Sequence, residues 1–582
     1  MSENEGNTSL WHQLLEARIS RRGALKGSFA AGAASLLPLN LQMTQADPNE
    51  ASTKTTTGQA AANRRAPFRP IRPTTTDDLV LPRGYRYNVL RVWGDEIAPS
   101  QPFGYNADFI GYFPIDALEG GNSSSDGLLW VNHEYPNPLL MYGYTGGQKT
   151  ADQVAIERMS VGGSVLRVQR QKNGQWTFVS DSHNRRVTGY TTCRLTGPAA
   201  GSAALGGAVE VTGSVGNCSG GVTPWGTVLS CEENVDDYTA PLEVGGSGWD
   251  VATYVKEHQG WVTEVDPYDP SFMPRKHTAM GRMRHENVAL MVSPSGRVVA
   301  YMGDDKQDSC VYKFVTDGAY DPANREANLR LLETGKLYAA DFGSGKWVLL
   351  DYASQKALQE AKNKDGKPLF SSQADVLADA RAAALALRAT PVDRPEDIEV
   401  HPLTGHVYVA LTNNSSHGNF HGQIVRMMEE KNNPESTAFQ WEFFAVGGPQ
   451  SGFSSPDNLV FDPYGNLWMV TDISSSRVGT GIYKFQGNNA MFFFATEGPD
   501  AGKAVQFASG PVECELTGPF WTPDGSTMFL AIQHPGEESP SLGELTSHWP
   551  NLNGDPLPRP GVVAITGFPG WSPRRPFLPF GR

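Results

Sequence analysis

Five times along this chain a polar cluster gives way to a proline–glycine turn and then to a short apolar strand with a polar or acidic end. The fullest copy reads Asn217-Cys218-Ser219-Gly220-Gly221, then Thr223-Pro224-Trp225-Gly226-Thr227, then a strand ending at Cys231-Glu232-Glu233-Asn234. Looser copies begin at Arg284-His285-Glu286-Asn287, Arg394-Pro395-Glu396-Asp397, Ser455-Pro456-Asp457-Asn458 and Glu513-Cys514-Glu515. Their strands end at Asp304-Asp305, Asn413-Asn414, Thr471-Asp472 and Gln533-His534. A sixth copy lacks the proline and runs from Ser125-Asp126-Gly127 to Asn132-His133-Glu134. Pro294, Pro402, Pro463 and Pro523 are 108, 61 and 60 residues apart, the first gap being close to two ordinary units.

Self-similarity on this scale marks a repeat architecture. Proline presets φ for the turn and glycine supplies the positive φ. The runs that follow are short and rich in β-branched and aromatic residues, so each unit reads as strand, tight turn, strand. Such units suit the blades of a β-propeller, where radial repetition leaves only short protected edges. Equivalent positions then converge on the central channel. The spacing places Cys218, Glu286, Glu396, Asp457 and Glu515 around one mouth.

Composition agrees with an all-β, turn-rich chain: 62 glycines and 41 prolines in 582 residues. The net charge of −14 leaves no general basic surface for a nucleic-acid backbone. Five cysteines, odd in number and without Cys-x-x-Cys spacing, argue against a disulfide framework.

Residues 1–46 read as an export signal. Ser20-Arg21-Arg22-Gly23-Ala24-Leu25-Lys26 resembles the twin-arginine motif, and the apolar stretch that follows is too short and too rich in alanine and glycine to span a bilayer. The implied partner is the twin-arginine translocase, which carries folded proteins, and the implied destination is the periplasm or the medium, without stable membrane insertion. Residues 47–78 read as a flexible linker and 79–582 as the propeller. Residues 350–390 break the β pattern with alanine-rich, helix-forming segments, a helical insertion between blades that acts either as a lid or as packing. The run Gly561–Thr566 reads as a strand completing a blade begun near the N-terminus.

Several carboxylates in one mouth repel one another, which raises their pKa values or recruits cations. Glu232, Glu233, Glu286, Glu396 and Asp457, with Asn217 and Asn458 nearby, offer the oxygen ligands calcium prefers. Cys218 offers a soft thiolate, which suits iron or zinc. Hard and soft ligands together point to a mixed metal cluster. Arg394 lies two residues from Glu396, on the same face of a strand. It can clamp a phosphate or carboxylate bidentately, or simply pair with the acid. No Gly-x-Ser-x-Gly or His-Glu-x-x-His occurs, and His285 should face away from Glu286.

Taken together, the Arg-Arg signal, Asn217-Cys218, Thr223-Pro224-Trp225-Gly226-Thr227 with Cys231-Glu232-Glu233-Asn234, Arg284-His285-Glu286-Asn287, Arg394-Pro395-Glu396-Asp397 and Gln533-His534-Pro535-Gly536-Glu537 resemble the PhoX-type alkaline phosphatases. The resemblance spans nearly the whole chain. It implies a six-bladed propeller, an exported phosphomonoesterase and an iron (Fe3+) and calcium (Ca2+) cofactor. It implies Cys218, Glu286 and Glu396 as metal ligands, with Cys218 on iron, one of Glu232 and Glu233 on calcium, and Asp457 as a further ligand. Arg394 would hold the substrate phosphate, and Arg394 and Glu396 would be the catalytic pair. A metal-bound oxo or hydroxide would attack a phosphate monoester in line. The loop 304–314 departs from the pattern, since relatives carry a glutamate and a tyrosine near Ser309 and Cys310. Two other classes stay open on the residues alone: a calcium-dependent propeller lactonase or phosphodiesterase, and a non-catalytic binding propeller stapled by calcium.

Overall fold

The computed structural model describes residues 11, 13, 14, 66–240, 246–250 and 253–570. The twin-arginine stretch and residues 47–65 of the expected linker lie outside the described residues.

Among the described residues six sheets form six propeller blades, antiparallel throughout except where Arg275–His277 pairs in parallel with Thr192–Thr196 in blade two. Their inner strands are Ala107–Pro114, Asn217–Val222, His285–Val292, Pro395–Val400, Pro456–Phe461 and Glu515–Trp521, in blades one to six. Successive inner strands touch, and the sixth touches the first, so the ring is closed. The second strands return antiparallel and end at His133, Glu232, Asp304, Leu411, Thr471 and Gln533. Both the start of the first strand and the end of the second therefore lie at the same mouth.

In four of the five proline turns the residue before the proline braces the turn between these two strands with its side chain. Thr223 Oγ accepts from Thr227 N at 2.9 Å, and Asp462 Oδ1 accepts from Tyr464 N at 3.0 Å. His401 Nδ1 accepts from Leu403 N at 3.1 Å, and Thr522 Oγ accepts from Thr527 N at 3.2 Å. A side-chain acceptor thus satisfies backbone donors that the turn would otherwise leave unpaired.

Apolar faces pack from blade to blade. Tyr408, Ala410 and Ile424 of blade four meet Leu459, Phe461 and Met469 of blade five, all buried. Truncating one such aromatic to alanine costs about 3–5 kcal/mol. Near the axis, polar latches join neighbours. Asn287 Oδ1 accepts from Ile398 N at 3.0 Å, Asp397 Oδ2 from Leu459 N at 3.0 Å, and Asn458 Oδ1 from Gly518 N at 2.8 Å. The same position on three blades accepts from the inner strand of the next blade, which fixes their rotation about the axis.

Gly561–Thr566 completes blade six between Thr527–Gln533 and Arg86–Val92, as its sequence suggested. The helical insertion sits between blades three and four and carries helices Lys356–Glu360, Gln373–Ala378 and Ala380–Ala386. Val376, Leu377, Ala380, Ala383 and Ala384 are buried in a core shared with blades two and three. This burial packs the insertion against blades two and three. The linker expectation needs correction for residues 66–78. Phe68 packs against Tyr85, Trp468, Phe493 and Phe507, and Ile71 N donates to Gln506 O at 3.2 Å. Composition hid one aromatic anchor in an otherwise core-poor stretch.

Candidate metal centre

The second residue of five inner strands is Asp108, Cys218, Glu286, Glu396 or Asp457, and the first residue of the sixth is Glu515. Two backbone devices aim these side chains. The residue just before the strand is left-handed in four blades: Asn106 (φ 46°), Gly216 (φ 63°), Arg394 (φ 53°) and Ser455 (φ 47°). Then the strand register slips within the first few residues of all six inner strands. A bulge re-aims a side chain, and strain of this kind persists where the surroundings enforce it.

A second tier comes from the residue just past the second strand: Glu134, Glu233, Asp305, Asp472 and His534 in blades one, two, three, five and six. Three groups of donor atoms result, each within 4.8 Å of one another: Asp108, Glu134 and Cys218; Cys218, Glu233 and Glu286; Glu286, Glu396 and Asp457. Cys218 belongs to the first two groups and Glu286 to the last two, so the three form one continuous pit. Cys218 is half-buried, and its thiol donates to Asp108 Oδ2 at 3.4 Å.

Of the residues singled out from sequence, Cys218, Glu233, Glu286, Glu396 and Asp457 come together here. Glu232 does not. Its carboxylate pairs with Lys276 Nζ at 2.7 Å, both groups fully buried, and accepts from Ser214 Oγ at 2.9 Å and Gly260 N at 2.9 Å. Neighbours on an extended chain face opposite sides, so only one of the two glutamates can reach the pit. His285 likewise points away, with Nε2 bonded to the Gly281 carbonyl at 2.8 Å. Asp108 was missed from sequence. Glu134, Asp305 and Asp472 were visible only as strand ends. An acid one place past the second strand, repeated in several units, is the signal that would have found them.

Burial, then Glu396, Asp457, Glu233 and Asp108, pushes the Glu286 carboxyl well above the usual carboxylate range. Burial likewise lifts Asp457 and Glu134 to about 7. Two unit charges at 4 Å interact by about 4 kcal/mol at an effective dielectric constant of 20, so a set of bare carboxylates this close is strongly disfavoured. Protons or cations must neutralise it. Glu286 Oε2 and Asp457 Oδ2 are buried and accept no hydrogen bond from any described residue. Oxygens left open in this way, beside a thiol, fit metal ions.

Arg394 stands at the rim. Its Nε and Nη2 bond the Asp305 carboxylate at 2.9 and 2.5 Å, and Nη2 lies 2.8 Å from Glu396 Oε1, although Arg394 precedes the strand with a left-handed backbone and so does not share a strand face with Glu396 as the i, i+2 spacing suggested. A cavity of about 230 Å3 opens beside it, lined by Asn413, Ser455, Asp472, Ser474, Arg477 and Tyr483 among others. The divergent loop is tied elsewhere: Ser309 Oγ and the buried Asp304 are both held by Arg381, from the helical insertion.

A family model for alkaline phosphatase PhoX matches residues 66–536. The chain belongs to the PhoX alkaline phosphatase family. It is a metal-dependent phosphatase on a six-bladed propeller. The solved structure of Pseudomonas fluorescens PhoX in complex with vanadate, a transition state analogue, is 33% identical, covers 86% of this chain and 97% of that one, and has a TM-score of 0.76. A gluconolactonase from Xanthomonas campestris is 11% identical, covers 80% and 99% of the two chains and has a TM-score of only 0.28. No curated protein matches the chain.

Proposed function

We propose that this chain hydrolyses phosphate monoesters at the axial pit, with iron held through Cys218 and calcium held by the surrounding carboxylates. The observation that carries this reading is the sharing of one thiol between two acid groups, with a cationic side chain on the rim. Glu286, Glu396 and Asp457 form the all-oxygen end suited to calcium. Cys218, with Asp108, Glu134, Glu233 and Glu286, forms the end suited to a softer ion. When bound, such cations polarise a phosphoryl oxygen and make bound water a nucleophile near neutral pH.

The protein's own part is positioning. Arg394 binds the phosphoryl oxygens with the guanidinium edge that Asp305 leaves free. Because Asp305 and Glu396 already fix that side chain, little rotamer entropy is lost when the substrate arrives. The buried walls exclude water and strengthen each charge contact. No side chain is assigned as a carrier of the phosphoryl group. The Arg21-Arg22 motif supports export by the twin-arginine route after folding, which would bring the chain to the periplasm or the medium.

Turnover of p-nitrophenyl phosphate by the purified chain, with and without a chelator, tests the reading alongside elemental analysis. Iron and calcium should be present and activity should fall with their removal. Turnover indifferent to complete metal removal would refute it.

A further inference from the structure

Trp11 precedes the Arg-Arg pair by ten residues, yet it is 0% exposed and seated in the propeller. Its ring stacks on Trp441 at 5.2 Å and meets the edges of Phe342 at 5.3 Å and Phe443 at 5.9 Å. Its indole Nε1 donates to Asp393 Oδ2 at 3.1 Å. Leu14 packs against the same cluster. The slot is thus apolar on its walls with one acceptor at its floor, which suits an indole better than any other side chain.

The walls come from two blades. Phe342 follows the blade-three strand Gly335–Asp341, while Trp441 and Phe443 lie on the outermost strand of blade four, Phe439–Val446. Asp393 belongs to the connection between them, where it also accepts from Asn419 Nδ2 at 2.9 Å and lies 2.8 Å from His417 Nδ1. The slot is complete only when both blades have folded and packed. It is also one residue from Arg394, the rim cation.

We propose that this slot is a docking site for the chain's own N-terminal segment, with Trp11 as the anchor. Trp11 and Leu14 are thereby held against the folded propeller. Docking makes the leader's accessibility a readout of completed folding at blades three and four. The proposal is independent of the phosphatase reading.

Hydrogen exchange on the full chain tests it. In the wild-type protein the amides of residues 8–15 should exchange at least tenfold more slowly than in W11A, with p-nitrophenyl phosphate turnover in W11A staying within twofold. A synthetic peptide of residues 5–19, added to full-length W11A, should restore protection along 439–446 and raise Tm by a few degrees. The same peptide carrying W11A should do neither. Equal exchange of residues 8–15 in wild type and W11A, or equal effects of the two peptides, would overturn the proposal.

Discussion

Arg394 and Asp305 face each other edge to edge, two guanidinium nitrogens on one carboxylate, although 89 residues and a blade boundary separate them. The pairing fixes the rim cation, which lines the cavity. Asp305→Asn keeps the shape but removes the charge-assisted grip. KM for p-nitrophenyl phosphate should rise about tenfold with a smaller fall in kcat. Arg394→Lys keeps the charge but loses the fork, and kcat/KM should fall about a hundredfold, or about 2.7 kcal/mol. Steady-state kinetics with inorganic phosphate as competitor measures both.

Cys218 links two donor groups, so its loss should break the pit into parts. Cys218→Ala should lose iron while retaining part of the calcium, and activity should drop at least a hundredfold. Elemental analysis of the purified variant decides; iron retained at wild-type stoichiometry removes the thiol from the ligand set.

The two adjacent glutamates should behave in opposite ways. Glu232→Gln leaves Lys276 buried without its partner, an error that costs about 3–5 kcal/mol. Its Tm should fall sharply, and adding Lys276→Met should recover most of the loss. Glu233→Gln removes one charge from a repulsive cluster, so stability without metal should hold or rise while metal content falls. Thermal melts of the chelated proteins separate the two.

His401 gives an acid limb to stability. Burial, reinforced by His406, lowers its pKa to about 4 from an ordinary 6.5. Because Nδ1 accepts two backbone N–H groups in the native turn, protonation forfeits that acceptor. The unfolded chain binds the proton first, between pH 6.5 and 4. Stability is therefore full above 6.5 and declines as pH falls toward 4. His401→Asn keeps an acceptor for the turn without a titrating ring, and should flatten the pH dependence of Tm across that window.

Much of the pit was legible because the repeat is regular. Cys218, Glu286, Glu396 and Asp457 occupy one register position, and the turn chemistry beside them fixed that register in the sequence. Asp108 escaped because blade one reaches its second strand through a longer loop, with a short helical turn at Ala117–Glu119 in place of the proline. Glu232 and Glu233 were inseparable by composition. Their faces depend on where the strand stops, and that is set by pairing of Glu232 with Asn217. Phe68 is a single residue and all but one of its ring partners, Tyr85 excepted, lie some four hundred positions away, so no local pattern announced its burial.

The zipping of Arg86–Val92 to Gly561–Thr566 has a temporal corollary. Thr517 of blade six bonds Asp108 of blade one, so the seam between the first and last blades runs through the ligand wall itself. Gly561–Thr566, which ties Arg86–Val92 into blade six, leaves the ribosome only after every residue of that wall. A nonsense codon just before Gly561 should therefore yield protein that retains its acids and its thiol yet captures less metal than the full chain, as elemental analysis would measure.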